Sequence, residues 1–498
     1  MSASQVVIPL NVPPRLNLDV LSLIAHEILH IHDLSSFMKC CHDFRILGTP
    51  HLVNSNIRVS SQRKLQSFHA FMRSDLHVDS RHFRFFEEFH VLLDNEKVLS
   101  PSTAVVLSDI LSSASHMRTL HLTKFERLLR LDPNLLEVMA NLPRLSEAFV
   151  YGLQDGAQGA QWLRNSRSPI TKLFTDAAWH SMAAASSILA TNLTCVFMSV
   201  LNIPSSADAR FPNVHTLLLE SSILIPSAHI FRVFPNVRIC EYRKNYALPH
   251  YLDEWDGHHE DNLARLEQLA SEQSLPDLDR LVGEADVLYE SAIIRKTTSL
   301  TISAEIDDYN FQQATRLIDL CQPTILIFSI RVNSTEAQQQ GYLGALLSHT
   351  GTVPTIKEIW LYFNFRMDES NAHDGIEILN KIPDYLPTTP MRIQHFAVIL
   401  KFDCDDGETA TVFKSSFGEK GWVAQVAQKV HSLETIAMYW EATRCSSPVA
   451  NTYSINPDRS FGEPVTQLGY TSIWSDRWLD VGIMNTYYDN WTFWEDNF

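Results

Sequence analysis

The chain has 498 residues, 45% of them hydrophobic, enough for a large core. Its 40 basic and 57 acidic residues give a net charge of -17, which argues against a general nucleic-acid or anionic-membrane binder, because either needs a basic face. Seven cysteines (Cys40, Cys41, Cys195, Cys240, Cys321, Cys404 and Cys445) are odd in number, lack C-x-x-C spacing and fit reduced thiols better than a disulfide framework or zinc site. The opening MSASQVVIPLNVPP has no basic, apolar leader pattern and no run of eighteen apolar residues occurs, so a cytoplasmic or nuclear location without membrane association is expected.

Residues 1–14 read as a loose N-terminus, set off by Pro13 and Pro14. Over 15–52, Leu21, Ile24, Ile28 and Ile31 recur at helical steps, with Asn17 as a start cap. Asp33 is placed to cap a second helix carrying Leu34, Phe37, Met38, Cys41 and Phe44, which Gly48 and Pro50 are expected to end. Two such helices carry more apolar surface than they can bury on each other, so the surplus must face the rest of the chain or a partner.

This pattern resembles an F-box. Leu16-Asn17-Leu18-Asp19-Val20-Leu21 is similar to the family's opening, Ile24 and Ile28 to its later apolar steps, Asp33-Leu34 to its Asp-Leu pair, and Cys41-His42-Asp43-Phe44-Arg45 to its closing motif. Asn17 stands where the family usually has proline; both residues suit a helix start. The resemblance implies docking on a Skp-type adaptor, and through it a cullin-RING ubiquitin ligase, by Leu16, Val20, Leu21, Ile24, Ile28, Leu34, Phe37, Cys41 and Phe44. Exposure of Val20, Ile24, Phe37 and Phe44 would mark a docking face; their burial against residues 53–120 would mark a cap.

The same stretch contains His26-Glu27-Ile28-Leu29-His30, an H-E-x-x-H match that on one helix would pair the two imidazoles for zinc beside a general base. No third ligand is marked out, so a zinc hydrolase is the remote alternative and no cofactor is expected.

Residues 53–80 read as a connector with one helix over 62–72. From 81 to 450 short segments recur as apolar-x-x-apolar-x-apolar. They include Phe86–Val91, Met117–Leu122, Leu145–Val150, Leu193–Met198, Val214–Leu219 and Val237–Tyr242. From Leu120 to Cys240 their fourth positions fall 21 to 28 residues apart, which is leucine-rich-repeat spacing, with helical patterns between them. Beyond an acidic insertion near 246–273, wider repeats place strands at 299–302, 325–330, 356–363, 393–400 and 433–439. The fold class expected is α/β: an F-box-like helical segment followed by an irregular leucine-rich-repeat solenoid, or horseshoe. A separate α/β domain after residue 300 is the other possibility. Residues 451–498, rich in aromatic and acidic side chains, read as a C-terminal cap, with partner binding in trans as the alternative.

No phosphate-cradling loop and no G-x-S-x-G occurs, so no enzyme activity is expected. His258-His259 beside Glu260 and Asp261, and the run Asp403-Cys404-Asp405-Asp406, lack the spaced ligands of a metal site. The strand positions between buried residues would face solvent on the inner face, among them Thr119 and Lys172. Of these, His121, Glu147, Phe149, Phe174, Phe197, Glu241, Trp360 and His395 are the candidate contacts to a protein target. The whole order resembles F-box/leucine-rich-repeat proteins of the divergent fungal type, supported by the idiom Leu275-Pro276-Asp277-Leu278-Asp279-Arg280-Leu281-Val282-Gly283. What this implies is a non-enzymatic, substrate-recruiting ligase subunit. A scaffold or binding protein without ligase docking is the alternative.

Overall fold

Leu145, Ala148 and Val150, spaced three and two apart, are all fully buried. The last two alternate with Glu147 and Phe149 along one short strand. That alternation puts one set of side chains against helices and the other on the opposite sheet face, and it repeats along the chain. The result is a mixed α/β architecture. The computed structural model describes residues 18–468 apart from 29–30, 41, 55–56, 74–82, 84, 154–156, 177–178, 200–202, 205–207, 222, 245–257, 304–307, 333–336, 367–370, 387–391, 404–412, 414–415 and 443–448. It divides into two units, residues 1–200 with 208–214, and residues 201–207 with 215–498.

The first unit opens with helices α1 (Leu18–Glu27), α2 (Ile31–Cys40) and α3 (His42–Asn54). They close around Ala25, Leu34 and Met38. Two expectations are corrected here. Asp33 lies in the first turn of α2 instead of capping it. Gly48 and Pro50 lie inside α3 instead of ending a helix. A Cβ at Gly48 would come 2.5 Å from Met38 Cγ, so this glycine lets α3 approach α2 rather than breaking the chain.

Strand β1 (Ile57–Val59), α4 (Gln62–Met72), β2 (Glu88–Val91), α5 (Pro101–Ser113) and β3 (Thr119–Leu122) follow. Next come α6 (Phe125–Leu131), α7 (Asn134–Ala140), β4 (Glu147–Val150), α8 (Ala157–Asn165), β5 (Lys172–Thr175), α9 (Trp179–Ala184), α10 (Ser186–Leu189) and β6 (Cys195–Ser199). From β1 to β6 each strand pairs in parallel with the next in sequence, the connection always running through helix. The helix α4 falls on 62–72 as expected; β1, three residues long, is too short to leave a periodic signal. Gln62 fixes the helices' starting edge. Its Oε1 accepts from Ser100 N (2.8 Å) and Thr103 Oγ1 (2.6 Å), while its Nε2 donates to the Val98 carbonyl (2.7 Å).

The second unit runs β7 (Thr216–Ser221), α11 (Ser227–Val233), β8 (Ile239–Lys244), α12 (His259–Glu272), β9 (Leu278–Gly283), α13 (Ala285–Glu290) and β10 (Thr297–Ser303). It continues with α14 (Asp308–Cys321), β11 (Ile325–Val332), α15 (Ala337–Thr350), β12 (Glu358–Arg366), α16 (Asn371–Tyr385), β13 (His395–Asp403), α17 (Glu419–Lys429) and β14 (Thr435–Ala442). From β7 to β14 the strands again pair in parallel and in order. The strands after residue 300 therefore continue the same sequential parallel pairing as β7–β10. Two antiparallel strands, β15 (Val449–Ser454) and β16 (Val465–Leu468), then cover the edge of β14. Glu419 Oε1 on α17 holds them by accepting from Asn451 Nδ2 (2.9 Å) and Tyr453 Oη (2.7 Å). The aromatic residues of the expected C-terminal cap, from Trp474 onward, lie outside the described residues.

Candidate functional site

The parallel register aligns one residue from each strand of the first unit into a row. Arg58 stands opposite His90, His90 opposite His121, and the row continues through Phe149 and Phe174 to Phe197. Adjacent ring centroids lie 3.8 Å apart for His90–His121, 3.7 Å for His121–Phe149, 4.2 Å for Phe149–Phe174 and 5.9 Å for Phe174–Phe197, all stacked. The sheet face is the one anticipated, opposite Leu120, Ala148 and Leu173. The expectation that its members face solvent is corrected for the phenylalanines, since Phe149, Phe174 and Phe197 are 1%, 5% and 9% exposed, while His121 is half-buried. Strands about 4.8 Å apart bring flat rings into contact, so each ring covers its neighbours.

Burial pushes His121 down to about 2, with the charges of His90 and Arg58 acting in the same direction. His90 is lowered too, mainly by burial, although Glu88 Oε1 lies 2.6 Å from its Nε2 and opposes the shift. The neighbouring row is mostly half-buried and carries three charges: Glu88, Thr119, Glu147, Lys172 and Cys195 align, and Lys172 Nζ lies 2.8 Å from Glu147 Oε1.

In the second unit the same geometry aligns Leu218, Glu241, Val282 and Thr301, and the row continues through Ile327, Trp360 and Ala397 to Ala437. Glu241 is buried and ion-paired with Arg243 two residues on. Burial raises its carboxyl above the usual range, against the opposing pull of Arg243 and Arg280. It is an internal pair instead of an exposed contact, because alternate residues of a strand share a face. Trp360, 3% exposed, forms a cluster with Ala397, Ile399 and Ala437, flanked by Ile325, Ile327, Tyr362 and Tyr439. It too is corrected from solvent-facing to buried. His395 is half-buried, with Nδ1 2.7 Å from Thr435 Oγ1.

Among the expected adaptor contacts, Leu21 and Leu34 are buried and Ile28, Phe37 and Phe44 half-buried. Phe37 and Phe44 stack on each other at 4.3 Å. Ile24 is 42% exposed, and its neighbour Leu23, not anticipated, is 63% exposed. Leu16, Cys41 and the side chain of Val20 lie outside the described residues. His90 was also missed, although Phe89-His90-Val91 repeats the apolar-His-apolar step of Leu120-His121-Leu122.

The H-E-x-x-H segment is not one helix, because α1 ends at Glu27. His26 instead sits 5.4 Å from His51 of α3, and His30 lies outside the described residues. Among the described residues no group of three His, Cys, Asp or Glu side chains is placed to hold a metal ion. Among the described residues two His–Asp pairs have dyad geometry: His349 Nε2 is 3.0 Å from Asp319 Oδ1, and His69 Nε2 is 2.6 Å from Asp109 Oδ2. Asp109 also accepts from Arg73 at 2.9 and 2.7 Å, which ties α4 to α5. Burial drives the thiols of Cys195 and Cys240 up to about 12 and that of Cys321 to about 11, so none of the three is a ready nucleophile. No described helix is long and apolar enough to cross a membrane. No family model and no curated protein matches the chain.

Proposed function

We propose that the chain is a recognition subunit of the F-box/leucine-rich-repeat type: its N-terminal helices dock a Skp-type adaptor of a cullin-RING ubiquitin ligase, and its strand faces hold a protein target. The observation that carries this reading is the pair Leu23 and Ile24. These two apolar residues project into solvent from α1 while Ala25 and Leu34 close the helices' own core. Isolated exposed leucines are ordinary, but two adjacent ones on a helix that has spare inward residues form an outward apolar face. The in-order parallel strands with helical crossovers support the leucine-rich-repeat part, since such units bury themselves only by stacking on neighbours. The subunit would act by proximity, raising the effective concentration of target beside the ligase.

Co-purification with a Skp-type adaptor tests the reading. Leu23→Asp/Ile24→Asp should leave folding within about 0.5 kcal/mol, since both sites are exposed. In a complex it would bury unpaired charge at about 3 kcal/mol or more, over a hundredfold in Kd. Failure of the folded wild type to bind would sink the ligase reading. It would leave a scaffold whose helices cap the strands, which the packing of Phe71 of α4 against the Ala25–Leu34–Met38 cluster favours.

A further inference from the structure

The row from His90 to Phe197 has phenylalanine at its last three rungs, yet its first two rings are imidazoles. They stack at 3.8 Å and 11°, and His121 is in turn stacked on Phe149 at 3.7 Å and 15°. Among the described residues, charged groups from four strands stand near the pair. Arg58 on β1 stands opposite His90. Glu88 on β2 touches His90 Nε2 at 2.6 Å. Glu147 on β4 and Lys172 on β5 belong to the next row and engage each other at 2.8 Å. One proton on the pair has the Glu88 carboxylate for company. A second would sit against a stacked imidazolium and the Arg58 guanidinium, with His90 buried and His121 half-buried between the neighbouring rings.

We propose that the His90–His121 pair is an acid-operated break in this row: the stack is closed while both imidazoles are neutral, and proton uptake parts His121 from its neighbours and opens β2 and β3 locally. The open form binds the proton and the closed form resists it, so acid favours opening. The lowered values of both histidines agree with that direction. The phenylalanine rungs of β4 to β6 carry no such group, so opening stops at β3.

Hydrogen exchange of the full chain at pH 7.5 and 5.0, corrected for intrinsic rates, reads this directly. An imidazole of ordinary value 6.5, kept neutral by the closed row, shifts the opening equilibrium about thirtyfold by pH 5.0. Amides of Phe89–Val91 and Leu120–Leu122 should therefore lose about thirtyfold in protection, while Leu173 and Val196 hold theirs. His121→Phe should abolish most of that loss, and Glu88→Gln, which removes the counter-charge, should deepen it. Should His121→Phe not fold, His121→Gln, neutral at both pH values, makes the same test. Equal protection at both pH values in the wild type, or an undiminished acid loss in either His121 variant, would overturn the proposal.

Discussion

At Gly283, the last residue of β9, a Cβ would press into the Tyr242 carbonyl oxygen and come within 2.8 Å of Leu288 Cδ2. The backbone of β8 cannot yield there as a flexible side chain would. Gly283→Ala is expected to cost about 3 kcal/mol, seen as a lowered urea midpoint. Gly341 on α15 is the opposite case, with nothing within 4 Å of the added carbon. Gly341→Ala should stabilise by up to about 1 kcal/mol, from helix propensity alone, and so raise the midpoint. The sequence carries no mark that separates these two glycines. The same limit applied at the strand face. Alternation correctly assigned Phe149, Phe174 and Trp360 to the side away from the helices, but whether a ring on that side meets water depends on the ring one strand over.

Among the elements, α12 shows how a helix can be anchored from far along the chain. Both His258 N and His259 N donate to Glu290 Oε2 at 3.0 Å, and Asn262 Nδ2 donates to the Glu290 carbonyl at 2.8 Å. The His259 ring lies flat on Tyr289 at 3.8 Å. A carboxylate at a helix start satisfies orphan N–H groups and favours the dipole. Glu290→Ala should cost about 1–3 kcal/mol and loosen Asn262–Leu269 in hydrogen exchange while leaving β11–β13 protected. A helix beginning near Asn262 was legible from the polar, then periodic, residues there. Its cap was not, because Glu290 comes a full strand and helix later. The strands from β2 to β14 were legible to within a few residues, since the buried apolar step repeats. The short β1 and the polar β15 and β16 lack that step. At α3 the usual breakers Gly48 and Pro50 misled, because close packing on Met38 outweighs their local preference.

Each unit has its own titration character. The first holds His51, His90 and His121 with values lowered by burial; the second holds His229, whose Nδ1 lies 2.9 Å from the Ile203 carbonyl oxygen. A histidine lowered by folding contributes stability that is complete above its unfolded value of 6.5 and is lost as pH falls below it. Between pH 6.5 and 5.0, His121 alone should withdraw about 2 kcal/mol from the local stability of β2 and β3. Asp94 and Asp176, raised mainly by burial, act in the opposite sense, nearer the carboxylate range. Hydrogen exchange across a urea series at pH 7.5 and 5.0 should show residues of β2 and β3 opening at lower urea in acid, with a smaller shift in β11–β14. Equal shifts in both would count against the histidines as the cause.

The pairing of each strand with its immediate predecessor, inside each unit, also bears on synthesis. A strand leaving the ribosome meets a partner that has already emerged; nothing in the β1–β6 or β7–β14 order waits for a distant C-terminal piece. The template for β3 exists once Val91 is out, and that for β12 once Val332 is out. The nascent chain can therefore be built up one rung at a time, keeping the apolar side of each new strand covered almost as soon as it appears.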